Sequence, residues 1–195
     1  CSLILPSPSW VSYEPQAKFL KKEVFWLPTN KEDNWHLTST ILKNHCQKVN
    51  NQNKMLILNS PNNPTGTVNE DLKNIANICR ENNILVISDE IYSELTFSKN
   101  FKSISSYCPE KTIISTGLSK WCGAGGWRLG YFIIPDELNN IKNMINVLAS
   151  ETFSAVSAPI QYAAIKAYEN DHSNYITKSV NILSAVGKYV FSNLK

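Results

Sequence analysis

The chain has 195 residues, a formal net charge of +3, 43% hydrophobic and 18% charged residues. That suits one domain, or one and a part, with a core that needs no disulfide staples, and its lysines and arginines are too few and too scattered to point to nucleic acid. No apolar run approaches the ~20 residues that span a bilayer, and no basic-then-apolar leader is present.

Cysteines stand at 1, 46, 79, 108 and 122, an odd number without a C-x-x-C pair. This argues against a disulfide framework or a metal site and favours a reducing, cytoplasmic setting. Asn63-Pro64-Thr65 is no glycosylation sequon, because its middle residue is proline. His36, His45 and His172 show no ligand or triad spacing. The cluster Lys18, Lys21 and Lys22 reads as a solvated helix face.

In chain order, short runs rich in Ile, Val and Leu predict buried strands at Leu3–Leu5, Val24–Leu27, Met55–Leu58, Ile84–Ser88, Thr112–Ser115 and Tyr131–Ile134. Between them lie helical patterns. Thr38–Val49 spaces Ile41, Leu42, Cys46 and Val49 along one face. Glu70–Asn82 does the same with Leu72, Ile75, Ala76 and Cys79, with Asn69 as its expected cap. A further helix starts at Pro135-Asp136-Glu137, another runs over Ala158–Tyr168, and the last covers Asn174–Leu194. Strand–helix alternation at this spacing predicts a three-layer α/β/α sandwich around a mostly parallel sheet. In such sheets ligands sit beyond the carboxyl ends of the strands, and the residues with chemical potential fall there.

Trp10, past the first strand, has an indole that suits stacking on a planar ring, or equally a place in the core. Asn63 stands in Asn59-Ser60-Pro61-Asn62-Asn63-Pro64-Thr65-Gly66, a turn stiffened by two prolines and a glycine. Asp89 directly follows its strand and suits pairing with a protonated ring nitrogen; alone, it reads first as a surface carboxylate or a helix cap. Tyr92, one helical turn on, suits donation to a phenolic oxygen, or ordinary packing. Lys120 sits in Gly117-Leu118-Ser119-Lys120-Trp121-Cys122-Gly123-Ala124-Gly125-Gly126-Trp127-Arg128-Leu129-Gly130. An amine that attacks an aldehyde needs a tight, partly dehydrated pocket, which this small-residue run suggests. Arg128 offers a planar fork that matches phosphate oxygens, and its Gly-Trp and Leu-Gly flanks predict a sheltered position. Ser119 and Thr116 add hydroxyls. The same stretch fails as a dinucleotide fingerprint, a phosphate loop or a nucleophile elbow.

Together these residues resemble the class I/II aminotransferases, the aspartate aminotransferase-like, fold-type-I enzymes dependent on pyridoxal 5'-phosphate. The match runs in family order through Trp10, the Asn-Asn-Pro-Thr-Gly turn with Asn63, Asp89, Tyr92, Lys120 and Arg128. The resemblance implies that Lys120 is the Schiff-base lysine that also moves the substrate proton. It implies that Asp89 holds the pyridine nitrogen protonated, that Tyr92 and Asn63 bond the ring oxygen, that Trp10 stacks on the ring, and that Arg128 and Ser119 hold the phosphate. The implied reaction transfers an amino group between an amino acid and a 2-oxo acid. A lyase or synthase on the same scaffold, or a non-catalytic cofactor-binding fragment, are the alternatives. A homodimer with no nucleic-acid or membrane partner follows by the same resemblance. Gly117 departs from the serine that many relatives carry three residues before the lysine. The family's N-terminal arm and C-terminal small domain are expected outside the chain, so 1–170 reads as a partial large domain, truncated at both ends, and 171–195 as a long helix leading toward the small domain.

Overall fold

The computed structural model describes residues 1–49, 53–97 and 101–194. Six strands form one sheet: β1 (Ser2–Ser7), β2 (Val24–Pro28), β3 (Lys54–Asn59), β4 (Ile84–Asp89), β5 (Thr112–Gly117) and β6 (Gly130–Ile133). Their order across the sheet is β2-β1-β3-β4-β5-β6. The first five run parallel and β6 returns antiparallel against β5. Every strand expected from the sequence is present, most of them one or two residues longer. β6 is displaced by one residue, because Gly130 already pairs with Gly117.

Alternation along the strands divides the core. Ile4, Leu56, Leu58, Ile84 and Val86 face α2 (Ser39–Lys48) and α3 (Leu72–Glu81). Leu3, Leu5, Met55 and Ile57 face α1 (Tyr13–Phe19), which contributes Tyr13 and Ala17. Helices on both faces of a mostly parallel sheet make the three-layer arrangement that strand–helix alternation predicts. A third cluster joins Leu118, Trp121, Ala124 and Leu129 to Ala164 of α5 (Ala158–Glu169). Each fully buried aliphatic side chain contributes about 1.5–3 kcal/mol, so α3, which buries Leu72, Ile75, Ala76, Ile78 and Cys79, is firmly seated.

The helix termini depart from expectation. Asn69 does not cap α3. Its amide donates to the Leu37 carbonyl and its backbone N–H to Ser60 Oγ, so it is a buried bracket between loops. Asp71 precedes the helix, and its Oδ2 accepts the Ser39 N–H, tying the start of α3 to the start of α2. After Pro135 a 3-10 turn, Asp136–Leu138, comes before α4 (Asn139–Thr152). The last helix, α6 (Ser173–Asn193), follows its predicted span, and residue 195 lies outside the described residues. Of the basic cluster, only Lys18 lies on a helix, paired with Glu14 at 2.9 Å; Lys21 and Lys22 fall in the turn beyond it.

All five cysteines are free thiols. Burial pushes Cys79 up to about 12 and raises Cys46 and Cys108. These three are packing residues rather than nucleophiles.

Glu90 is buried, and its carboxylate accepts from Ser88 Oγ at 2.7 Å and Ser103 Oγ at 2.5 Å. Burial raises its pKa above the ordinary 4.5, against the pull of those hydroxyls. A carboxyl raised on folding contributes its stability below 4.5 and loses it as pH rises through the folded value. Glu90→Gln should therefore gain in melting temperature relative to wild type as pH goes from 4 to 7, in paired thermal melts.

Candidate active site

The topology brings widely separated residues to one rim. β1, β3, β4 and β5 all deliver their carboxyl ends there, and antiparallel β6 starts there. The chain leaves β1 toward β2 and then crosses to β3 on the other side of β1, so the sheet's switch point lies between β1 and β3. That is where open α/β sheets leave a crevice for ligands. Trp10 follows β1 and Asn63 follows β3.

A chain of direct contacts joins most of the expected residues. Trp10 stands edge-on to Tyr13, with ring centroids 5.1 Å apart. The Tyr13 hydroxyl donates to Asp89 Oδ2 at 2.5 Å, and Asp89 Oδ1 accepts the Ile91 N–H at 3.2 Å. The Asp89 carbonyl accepts from Asn59 Nδ2, while Asn59 Oδ1 accepts the backbone N–H of Asn63 at 2.7 Å. Asn63 Nδ2 donates to the Tyr92 hydroxyl at 3.4 Å. Lys120 Nζ lies over the Tyr92 ring, 5.5 Å from its centre, within range of a cation–π contact.

Asn63 is held by more than proline stiffness. The neighbouring Asn62 amide donates to Thr65 Oγ1 and to the Pro8 carbonyl, which ties this turn to the segment carrying Trp10. Gly66 closes the turn at φ +72°, a conformation that favours glycine. Asn63 and Tyr92 also wall a 660 Å³ cavity with Pro64, Leu95, Phe97 and Leu183. A larger one, 790 Å³, lies between β5–β6 and α5–α6, and neither cavity is lined by Lys120 or Asp89.

Thr116 lines that larger cavity beside Ile114 and Tyr131. It points to the sheet face opposite Ser115, the register partner of Asp89. Of the two hydroxyls considered for the phosphate, this leaves Ser119. Gly117 has a structural cause: a β-carbon there would stand 2.6 Å from the Leu129 carbonyl oxygen and 2.9 Å from Gly130 Cα. The close approach of β5 and β6 excludes serine from that position.

Two expectations are corrected. Lys120 is exposed, so the described residues do not supply the partly dehydrated pocket; the ring of Tyr92 covers one side only. Arg128 is exposed as well, despite its glycine-flanked setting. It sits at φ +56° after the 3-10 turn Gly125–Trp127, and its Nη1 donates to the Gly125 carbonyl at 2.6 Å. No described contact joins its guanidinium to Lys120 or to the Ser119 hydroxyl. Tyr13, Asn59 and Asn62 are the residues that sequence reasoning missed. Tyr13 lay in view, one helical turn past Trp10.

The donor set fits pyridoxal phosphate. Each Asp89 oxygen takes one donor and keeps lone-pair capacity for a ring N–H. Among the described residues no carboxylate lies within 4 Å of Lys120 Nζ or the Arg128 guanidinium, whereas Arg80 is engaged by Glu110. Amine, acid and guanidinium are thus uncommitted to one another.

Comparison with known proteins agrees with the fold. An aspartate aminotransferase of Bacillus sp. (strain YM-2) is 38% identical over 172 residues, 85% of this chain and 42% of that protein. One from Bacillus subtilis (strain 168) is 35% identical over the same shares. Among solved structures, a Pyrococcus protein superposes with a TM-score of 0.88 at 31% identity, over 98% of this chain and 49% of that one. Thermus thermophilus aspartate aminotransferase with maleate gives 0.84 at 28% identity, over 92% and 47%. The chain therefore spans less than half the length of these relatives. The family described as aminotransferase class I and II matches all of residues 1–195, and this chain, with its mostly parallel sheet and its lysine turn after β5, belongs to that family.

Proposed function

We propose that this chain is the cofactor-binding part of a pyridoxal-phosphate-dependent aminotransferase that moves an amino group between an amino acid and a 2-oxo acid. The observation that carries this reading is the unbroken line of contacts from Trp10 through Tyr13, Asp89, Asn59, Asn63 and Tyr92 to Lys120. When bound, pyridoxal phosphate supplies an aldehyde that accepts the substrate nitrogen and a pyridine ring that takes up electrons. Lys120 would hold the aldehyde and would move the proton at the substrate carbon. Asp89 keeps the ring nitrogen protonated through an ion pair. Asn63 and Tyr92 would orient the ring through its phenolic oxygen, and Trp10, held perpendicular to Tyr13, would offer its indole for stacking. Arg128 and Ser119 would hold the phosphate; the guanidinium's bond to the Gly125 carbonyl uses one of its five N–H donors.

On this reading residues 1–170 belong to a large domain and 171–195 lead toward a small domain. The working protein is a cytoplasmic homodimer, in keeping with its free thiols. The names of its relatives make acidic amino acids the first donors to assay.

The test is covalent. Mixing the protein with pyridoxal phosphate, reducing with borohydride and mapping the peptides should place one pyridoxyl group on Lys120. Labelling spread over surface lysines such as Lys18 and Lys166, with none preferred, would reject the assignment.

A further inference from the structure

We propose that Tyr13 is a positioning residue that fixes the Asp89 carboxylate and so sets how firmly the protein grips the ring nitrogen of its cofactor. This rests on the function proposed above and adds a residue to it. Tyr13 opens α1 and is only 6% exposed, yet it lies 76 positions from Asp89 in sequence. Its 2.5 Å bond reaches Oδ2, while the Ile91 N–H reaches Oδ1. One donor on each oxygen fixes both the rotation and the tilt of the carboxylate plane. A carboxylate accepts at about four lone-pair positions, so the two unused ones are left in defined directions, open to a ring N–H.

The surroundings keep Tyr13 a donor. Burial and the facing Asp89 push its phenol well above the ordinary tyrosine range, with Tyr92 adding to the effect. Glu90, the other acid beside Asp89, is turned toward Ser88 and Ser103. A charge-assisted bond of this kind is roughly twice as strong as a neutral one. The same ring meets Trp10 edge-on, so Tyr13 supports both the carboxylate for the ring nitrogen and the indole for the ring face.

A residue that only packs would weaken every ligand of the site alike; one that acts through Asp89 would weaken only ligands with a ring nitrogen. The experiment compares pyridoxal phosphate with its deaza analogue, in which carbon replaces that nitrogen, by absorbance titration of wild type and Tyr13→Phe. Tyr13→Phe should bind pyridoxal phosphate about 10-fold more weakly, the loss expected of one charged hydrogen bond. It should bind the deaza analogue within about twofold of wild type. In an Asp89→Asn background the Tyr13→Phe effect on pyridoxal phosphate should vanish. Should Tyr13→Phe fail to fold, Tyr13→Leu, which likewise has no donor for Asp89, is expected to show the same split. Equal weakening of both ligands, or no weakening of either, overturns the role given to Tyr13 and leaves the proposed function standing. A wild-type protein that binds neither ligand overturns both.

Discussion

On the proposed function, Lys120→Ala is expected to reduce transamination by on the order of 10²–10⁴-fold or more, the range typical of losing a positioned acid–base group, and to abolish the borohydride-stable label. The side chain has two tasks that alanine cannot share. On the proposed reading it would form the covalent link, and it would be the base that moves the substrate proton. No other amine stands over the Tyr92 ring among the described residues. Cofactor should still associate without the lysine, through Asp89, Asn63 and Arg128, so the variant should show a free-aldehyde absorbance in place of the linked one. Rates of donor-dependent oxo-acid release with an acidic amino acid, measured alongside that spectrum, check both halves. An alanine variant that keeps wild-type turnover would remove Lys120 from the chemistry.

The second large effect is on stability. Gly117→Ser introduces the serine that the family resemblance leads one to expect, yet it should destabilise this chain by about 3 kcal/mol, at the upper end of typical overpacking costs. The new β-carbon would lie 2.6 Å from a backbone oxygen, and backbone is what cannot move aside cheaply. Relief requires β5 and β6 to part where Gly117 pairs with Gly130. For a chain of this size the shift is about 6–12 °C in melting temperature. Urea or thermal melts of wild type and variant decide it, and an unchanged midpoint would mean that the two strands separate without penalty. Gain of phosphate affinity from the added hydroxyl is not expected, because the turn that carries Lys120 would move with the strand.

Much of this architecture was legible because its signals are local. Buried parallel strands write themselves as short Ile, Val and Leu runs, and Trp10, Asn63, Asp89, Tyr92 and Lys120 fall at or within a few residues of the ends of such runs. α1 was legible only as a solvated face around Lys18, not as a packed element: seven residues with only Tyr13 and Ala17 buried show too little periodicity to mark its inner side. The Tyr13–Asp89 bond depends on how β1 and β4 lie across the sheet, which no spacing within a segment reveals. The exposure of Lys120 and Arg128 was misjudged for a related reason. Small flanking residues signal a tight backbone, but a tight backbone does not decide what covers the side chain. Gly117 looked like a weakness of the family match; the sheet shows it to be a local necessity.

The outer margin of the sheet has a practical consequence. β6 bonds to β5 on one side, and all four of its residues are exposed, among them Tyr131, Phe132 and Ile133. A short apolar strand with no second strand partner among the described residues invites a copy of itself. Produced as this polypeptide alone, the material should tend toward insoluble, strand-templated assemblies during purification, and fusion to a solubilising carrier, or a lysine introduced at Phe132, would be the first remedy to try.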